Sequence, residues 1–192
     1  MPWNRDAEQR LGQALRAVRK ARRMTLTQVA EAAQLSQPFL SQLELGRARP
    51  SMRSLHRIAL ALGTTQQALL AAAAPPEIEP EIGPAPVRGA GAELVDVSDG
   101  GARLLLHDPT GVDVTEFVGL PREFEEEYFV HERAELLYLA RGAVEVEIRE
   151  ADRRTRATLH PRDTLTCPAG AEHRYRQVGD ETCVLLVIHH GC

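Results

Sequence analysis

The stretch TLTQVAEAAQLSQPFLSQLELGRARPS, residues 25–51, decides how the first part of the chain folds. Its first half places apolar residues at helical spacing, at Leu26, Val29, Ala30 and Ala33. Thr25 and Ser36 can each accept hydrogen bonds from the unpaired N–H groups of a helix start, so helices are expected after both. Gly46 suits the left-handed residue that ends a helix. The stretch therefore predicts two short helices joined by a tight turn.

The predicted second helix has an apolar side and a polar side. Leu40 and Leu43 would face a core, and the polar side carries Gln37, Pro38, Ser41 and Gln42. Two helices joined by three or four residues form a motif that places its second helix in the DNA major groove. Gln and Ser can hydrogen-bond base edges, and Arg47 and Arg49 in the next loop suit phosphates. The alternative is a helical hairpin within a bundle.

Charge is distributed unevenly along the 192 residues, whose formal net charge is −4. Residues 1–72 carry 11 Lys and Arg against 4 Asp and Glu, whereas residues 73–192 carry 12 against 23. A basic region on an acidic remainder is the pattern expected of a DNA-binding module joined to another domain. The apolar run at residues 68–74 is too short to cross a bilayer, so we expect a cytoplasmic protein that does not contact membranes.

The chain divides into three parts by composition. Five helices are expected in residues 1–73, the first from about Asp6 to Arg22 and the fifth from Thr64 to about Ala73. Residues 74–91 contain five prolines and three glycines and predict a linker. From residue 92 to 192 the hydrophobic period changes to 2, and ten short strands are predicted, among them Glu123–His131. Many short strands separated by turns predict an antiparallel sandwich or barrel.

Residues from about Arg10 to Leu70 resemble the helix-turn-helix domain of the phage-repressor type, the XRE family. The similarity rests on Leu35-Ser36, on Leu40-Ser41-Gln42-Leu43-Glu44 with Gly46, and on Pro50-Ser51. It implies a five-helix, lambda-repressor-like fold in which Arg19 pairs with Glu44. The second helix of the family often opens with a Gln that touches phosphate; Leu26 stands there, so Thr27 or Gln28 is expected to make that contact. The expected DNA contacts are Thr27, Gln28, Ser36, Gln37, Pro38, Phe39, Ser41, Gln42, Arg47 and Arg49.

The second part resembles the cupin family of small antiparallel barrels or jelly rolls. His131, Glu135 and Gly142 match its first motif, and Pro168-Ala169-Gly170 followed by His173 matches its second. The resemblance implies a metal held by His131, Glu135 and His173. The fourth ligand place, two residues before His131, is Phe129, and Arg162 stands where a turn glycine is usual.

Two imidazoles and a carboxylate suit one divalent metal, Fe, Zn or Ni. Two alternatives stay open. Phe129 with Tyr175 could instead line a dry pocket for an organic effector bound without metal. A histidine in such a wall can also be an ordinary hydrogen-bonded core residue.

The combined resemblance is to two-part regulators with an XRE domain and a cupin domain. It implies sequence-specific binding to double-stranded operator DNA, a small-molecule effector in the cupin domain, and no enzymatic activity. Homodimers would follow from an operator with two half-sites. The alternative is a mononuclear non-haem iron enzyme that resembles hydroxypropylphosphonate epoxidase, with His131, Glu135 and His173 holding Fe(II).

Overall fold

The structure, a computed structural model, describes residues 5–73, 94–97, 100–108, 111–151 and 153–190. The chain forms two compact units, residues 1–98 and 99–192. The described part of the first unit is helical and ends in a short strand, and the second unit is built from antiparallel sheets. The predicted α + β class is confirmed. The predicted proline-rich linker, residues 74–91, lies outside the described residues.

Five helices form most of the described part of the first unit. They are α1 (Arg5–Ala21), α2 (Leu26–Ala32), α3 (Gln37–Glu44), α4 (Met52–Ala61) and α5 (Gln66–Ala73). The predicted starts at Thr25 and Ser36 are confirmed, and Ser51 caps α4 in the same way: each side chain accepts a hydrogen bond from an N–H group in the first turn of the helix that follows. Gly46 and Gly63, past the ends of α3 and α4, have left-handed backbone angles (φ +65° and +62°). Within the described residues, no helix is both long enough and apolar enough to span a bilayer.

The helical core closes around the apolar sides of α1 to α5. Leu15, Leu40, Leu55, Ile58 and Leu69 are all at most 1% exposed. Helices α1 and α3 approach each other closely at Gly12, where an added Cβ would lie 2.5 Å from the carbonyl oxygen of Leu43. This contact fixes how α3 lies on the core.

In the described residues, nine strands follow the helices. They are β1 (Val95–Val97), β2 (Gly100–Asp108), β3 (Val112–Val118), β4 (Ala134–Arg141), β5 (Ala143–Glu150), β6 (Arg153–Leu159), β7 (Thr164–Cys167), β8 (Glu172–Val178) and β9 (Val184–His190). In the second unit, β2, β3, β9, β4 and β7 lie side by side in that order, and β6, β5 and β8 form a smaller sheet. Buried residues alternate along most strands, so each sheet turns one face to a shared interior.

The predicted strand Glu123–His131 is wrong. Only Phe129 in this region pairs, through an isolated bridge with His173. Residues 121–131, called the outer segment below, instead follow the edge strand β8, with hydrogen bonds from the Gln177 N–H to the Pro121 carbonyl and between the backbones of Phe129 and His173. The rings of Phe124 and Tyr128 stack on arginines of that sheet.

Candidate functional site

The turn between α2 and α3 is built by side chains that cap helix starts. The Thr25 hydroxyl accepts from the Gln28 N–H at 3.2 Å, and the Gln28 side-chain oxygen accepts from the Thr25 N–H at 2.8 Å. Ser36 accepts from the Phe39 N–H at 3.3 Å. Gln34, just before α3, has a left-handed backbone (φ +51°). Local chemistry therefore sets where α3 begins.

An ion pair holds the far end of α3 against α1. The Arg19 guanidinium donates to both carboxylate oxygens of Glu44, at 2.6 and 2.8 Å, and also to the Met24 carbonyl at 3.0 Å. The hydrogen bond to Glu44 raises the pKa of Arg19 above its usual value. Glu44 is only 8% exposed, so breaking this pair would leave a buried carboxylate. The pairing expected from the resemblance is present.

The predicted DNA contacts lie on and around the outer side of α3. Leu40 and Leu43 point into the core. The exposed members of the set are Thr27, Gln28, Ser36, Gln37, Pro38, Gln42, Arg47 and Arg49, and the half-buried ones are Phe39 and Ser41. Arg49 differs from Arg47 because its guanidinium lies 3.1 Å from the buried carboxylate of Glu8. It also lies 3.2 Å from Asp96.

In the second unit, three imidazoles converge on one carboxylate. The Nε2 atoms of His131, His173 and His189 lie 3.4, 3.2 and 3.5 Å from Oε2 of Glu135. Glu135, His173 and His189 are at most 3% exposed. The structure thus brings together the three predicted ligands and adds a fourth residue. His131, Glu135 and His189 each offer a ligand atom within 4.8 Å of the others, a grouping that could hold a metal ion.

His189 was not predicted from the sequence, although a signal was there. In β9 the alternate residues Leu185, Val187 and His189 are buried, and His190 is exposed. The period of 2 therefore points His189 inward, in register with Glu135 of β4. The alternation alone does not identify a site residue, because His189 matches neither cupin motif and only the register of β4 and β9 places it beside Glu135.

The cluster is short of hydrogen bonds. Among the described residues, neither carboxylate oxygen of Glu135 has a hydrogen bond of good geometry, and the same holds for Nε2 of His173. An unsatisfied buried polar group costs about 1–3 kcal/mol. Nδ1 of His173 lies 3.1 Å from the Ala171 carbonyl, an arrangement that orients a metal-binding imidazole and leaves Nε2 for the ion. The number and type of these donor groups suit a metal ion, and so do the unsatisfied atoms of Glu135 and His173.

The electrostatics of the cluster favour a charged carboxylate. Burial alone would raise the pKa of Glu135, but the adjoining His173 and His189 and the charges of His173 and His131 together lower it well below its usual range. Burial lowers the pKa of His173, and Glu135 reverses this so that the net shift is upward. The site therefore presents a deprotonated carboxylate among imidazoles, the form in which a carboxylate binds a divalent cation.

Phe129 and Tyr175 form the apolar wall beside the histidines. Both are less than 10% exposed, and their rings stack with centroids 5.6 Å apart. Phe129 also stacks on His131 with centroids 6.4 Å apart. Burial, with the nearby charge of Glu135, raises the pKa of the Tyr175 hydroxyl well above its usual value. Cys167 of β7 pairs with Glu135 on the other side of β4. Burial raises the pKa of its thiol to about 12.

Comparison with known proteins agrees with both parts. Residues 10–73 match the family model of a helix-turn-helix domain, and residues 117–189 match that of a cupin domain. Over 60 residues the chain is 40% identical to the immunity repressor protein of Bacillus phage phi105, covering 31% of this chain and 42% of that protein. Over 61 residues it is 43% identical to the HTH-type transcriptional regulator DdrOP3 of Deinococcus deserti, covering 32% and 47%. The match thus spans less than half of the length of either relative.

A solved structure is similar in fold over nearly the whole chain. It is the crystal structure of an HTH_3 family transcriptional regulator from Vibrio cholerae, with a TM-score of 0.66 and 19% identity. The alignment covers 97% of this chain and 99% of that one. At this identity the likeness shows the fold alone, a helical part followed by an antiparallel β part.

Proposed function

Since the chain joins a helix-turn-helix domain of the XRE type to a cupin domain, we propose that it is a sequence-specific transcriptional regulator whose cupin domain binds a small-molecule effector or a metal ion. The observation that carries the proposal is the outer side of α3. Its start is exposed and polar, and the Arg19–Glu44 pair and the caps hold it rigidly on the core. A DNA ligand would place the protein in the cytoplasm.

In the proposed complex α3 lies in the major groove. Gln37, Ser41 and Gln42 reach base edges, where Gln can bond adenine through two hydrogen bonds. Thr27, Gln28, Ser36, Pro38 and Phe39 flank the groove. Arg47, exposed and just past the helix, contacts a phosphate. Arg49 contributes less charge there because Glu8 and Asp96 neutralise its guanidinium.

A DNA-binding titration of the full-length protein tests this assignment, with duplexes from the promoter region next to its own gene. We expect Gln42→Ala to weaken binding to the operator by about 1–3 kcal/mol and to leave binding to unrelated duplexes unchanged. Arg47→Ala should weaken binding to every duplex and reduce the salt slope by about 1. Gln13→Ala, at an exposed position of α1, is the matched control and should bind as the wild type does.

The DNA-binding proposal fails if the full-length protein shows no salt-sensitive affinity for any duplex. It also fails if Gln42→Ala and Gln13→Ala behave alike on the operator. A loss caused by unfolding is recognised by circular dichroism of the same variants, since the helices of the first unit dominate the far-ultraviolet signal.

We propose that the cupin part regulates DNA binding. Its buried histidine cluster and the wall of Phe129 and Tyr175 would bind the effector or hold one divalent metal, Fe, Zn or Ni. A bound metal would offer open coordination positions to a small molecule. An effector changes DNA binding only if it prefers one geometry of a proposed homodimer, in which two copies of α3 reach two half-sites.

The enzyme alternative draws on the same cluster, because two histidines and a carboxylate on one face suit non-haem iron. Oxygen consumption by the protein with Fe(II) and candidate phosphonates tests it. Uptake above the rate of a Glu135→Ala variant would favour an iron enzyme. Equal rates, together with operator binding, would favour the regulator.

A further inference from the structure

The family pattern leaves one ligand place in this chain without a donor. Phe129 stands two residues before His131, and its ring lies among the rings of His131, His173 and Tyr175 with centroids 5.6 to 6.4 Å away. A phenyl ring cannot bind a metal ion, so the pattern alone predicts an incomplete set. The interior nevertheless contains a further imidazole from another strand.

We propose that His189 is a metal ligand that replaces the one missing at Phe129. The site would then hold a first-row divalent transition metal through His131, Glu135, His173 and His189. The inference rests on the metal binding proposed above and adds the residue that completes the site.

The backbone fixes His189 at this position. β9 lies between β3 and β4 in the larger sheet, and its ladder with β4 places His189 directly opposite Glu135. Side chains directly opposite each other in an antiparallel pair have Cβ atoms about 4.5–5.5 Å apart and share one face. His189 is therefore held next to Glu135 by hydrogen-bonded strands on both sides, as a precise ligand requires.

The distances agree with ligands around one ion. Donors bound at about 2.1 Å lie about 3.0–3.4 Å apart around an octahedral or tetrahedral ion. The Nε2 atoms of His131, His173 and His189 lie 3.2 to 3.5 Å from Oε2 of Glu135. The ligand atoms of His131, Glu135 and His189 lie within 4.8 Å of one another. His173 is placed by its contact with the same oxygen of Glu135, so movement of its side chain would complete a set of four donors around one ion.

Four protein ligands change what the metal can do. A set of two histidines and a carboxylate leaves three octahedral positions open, whereas four ligands leave two. Phe129 and Tyr175 form an apolar wall beside the histidines. The structure thus favours a compact ligand with one or two donor atoms at the metal.

Metal binding by the full-length protein, purified without a His tag, tests the role of His189. Co(II) alone is titrated into wild type, His189→Gln and His190→Gln, and the affinity and visible absorption spectrum are recorded. His190 is the matched control, because it is the next residue of β9 and its side chain is exposed. We expect His189→Gln to lose at least about tenfold in affinity with an altered spectrum, and His190→Gln to match the wild type.

Two further measurements keep the test independent of folding. X-ray absorption of the wild-type zinc form should count three imidazole ligands, and a count of two would overturn the proposal. Adding Phe129→His to His189→Gln should restore Co(II) affinity. Wild-type affinity with an unchanged spectrum in His189→Gln would also overturn it.

The outcomes separate this inference from the proposals on which it rests. A wild-type protein that takes up less than about a tenth of an equivalent of metal removes both the metal site and the role of His189. DNA binding would stand in that case. If metal uptake does not depend on His189, only the present inference fails.

Discussion

Arg162 adopts a left-handed backbone conformation that favours glycine. It lies in the turn between β6 and β7 with φ +80°, and its N–H donates to the Leu139 carbonyl at 2.7 Å. The cupin pattern usually has a glycine here, and the structure gives the reason. A non-glycine residue at positive φ costs roughly 1–2 kcal/mol. Glycine avoids this cost, but it also increases the conformational entropy of the unfolded chain, which cancels part of the gain in stability.

We therefore predict that Arg162→Gly raises the free energy of unfolding of the second unit by about 0.5–1 kcal/mol. All three tyrosines, Tyr128, Tyr138 and Tyr175, lie in that unit, so tyrosine circular dichroism during urea unfolding reports on it. Arg154→Gly, at an exposed position of β6, should instead destabilise by a similar amount. A destabilised Arg162→Gly would show that the arginine makes an energetically useful contact.

The pKa of Glu147 is set by the groups that surround its carboxylate. Its carboxylate is fully buried under the outer segment, where it accepts from Tyr128 at 2.5 Å, Arg156 at 2.7 Å and Arg174 at 2.9 Å. Burial alone raises the pKa of Glu147, but these three donors outweigh it and lower the pKa to about 2. The folded pKa thus lies below the value of about 4.3 in an unfolded chain. The stabilisation is complete above about pH 4.3 and is lost as the pH falls towards 2.

Glu147→Gln should accordingly destabilise the second unit by about 3 kcal/mol at pH 7. This is the lower end of the usual range for a broken buried pair, because Arg156 is half exposed. The gap between wild type and variant should narrow at pH 3. Urea unfolding at both pH values, followed by tyrosine circular dichroism, measures it. A gap that is the same at pH 3 and pH 7 would mean that the carboxylate charge contributes nothing.

At the scale of elements, the crossing of α1 and α3 decides where the proposed recognition helix lies. A Cβ at Gly12 would lie 2.5 Å from the Leu43 carbonyl oxygen and 2.8 Å from that of Glu44. Both atoms belong to the backbone of α3 and cannot turn aside. The helices can accept a side chain there only by separating.

Gly12→Ala is therefore expected to destabilise the first unit by about 1–3 kcal/mol and to weaken operator binding. Thermal unfolding followed at 222 nm and the DNA titration described above give the two values. Gln13→Ala, the exposed neighbour on α1, should change neither. If Gly12→Ala weakens DNA binding while its stability equals that of the wild type, the helix has moved without losing its packing.

Elements set by neighbouring residues could be predicted, and those set by distant ones could not. Thr25, Ser36 and Gly46 mark helix ends through hydrogen bonds and backbone preferences that reach only a few residues. The sequence predicts a strand for the outer segment because its partners, the arginines of β5, β6 and β8, lie 21 (Tyr128 to Arg149) to 52 (Phe124 to Arg176) residues further along the chain. His189 was missed for the same reason, since only the β4–β9 register places it beside Glu135.

At the scale of the molecule, charge is distributed unevenly along the chain. Residues 1–72 carry the excess of positive charge, and residues 73–192 the excess of negative charge. If the protein binds DNA as the proposed homodimer, two copies of α3 must meet the same face of the duplex about one helical turn apart.

Operator spacing tests this geometry. Inserting five base pairs between the two half-sites turns one of them by about half a helical turn, and affinity should fall to that of a single half-site. Inserting ten base pairs restores the face and serves as the control. Equal affinities for all three spacings, with one protein chain per duplex by mass, would exclude the homodimer and leave a monomeric DNA-binding protein.

The outer segment has a further consequence for how this protein can vary. At one end Phe124 and Tyr128 rest on surface arginines, and at the other Phe129 and His131 belong to the interior cluster, only a few peptide bonds away. Arg174, which stacks on both outer rings, is the next residue to His173. We therefore expect that exchanging Arg174 on the outside also shifts the position of His173 in the interior, because the two residues are adjacent in β8.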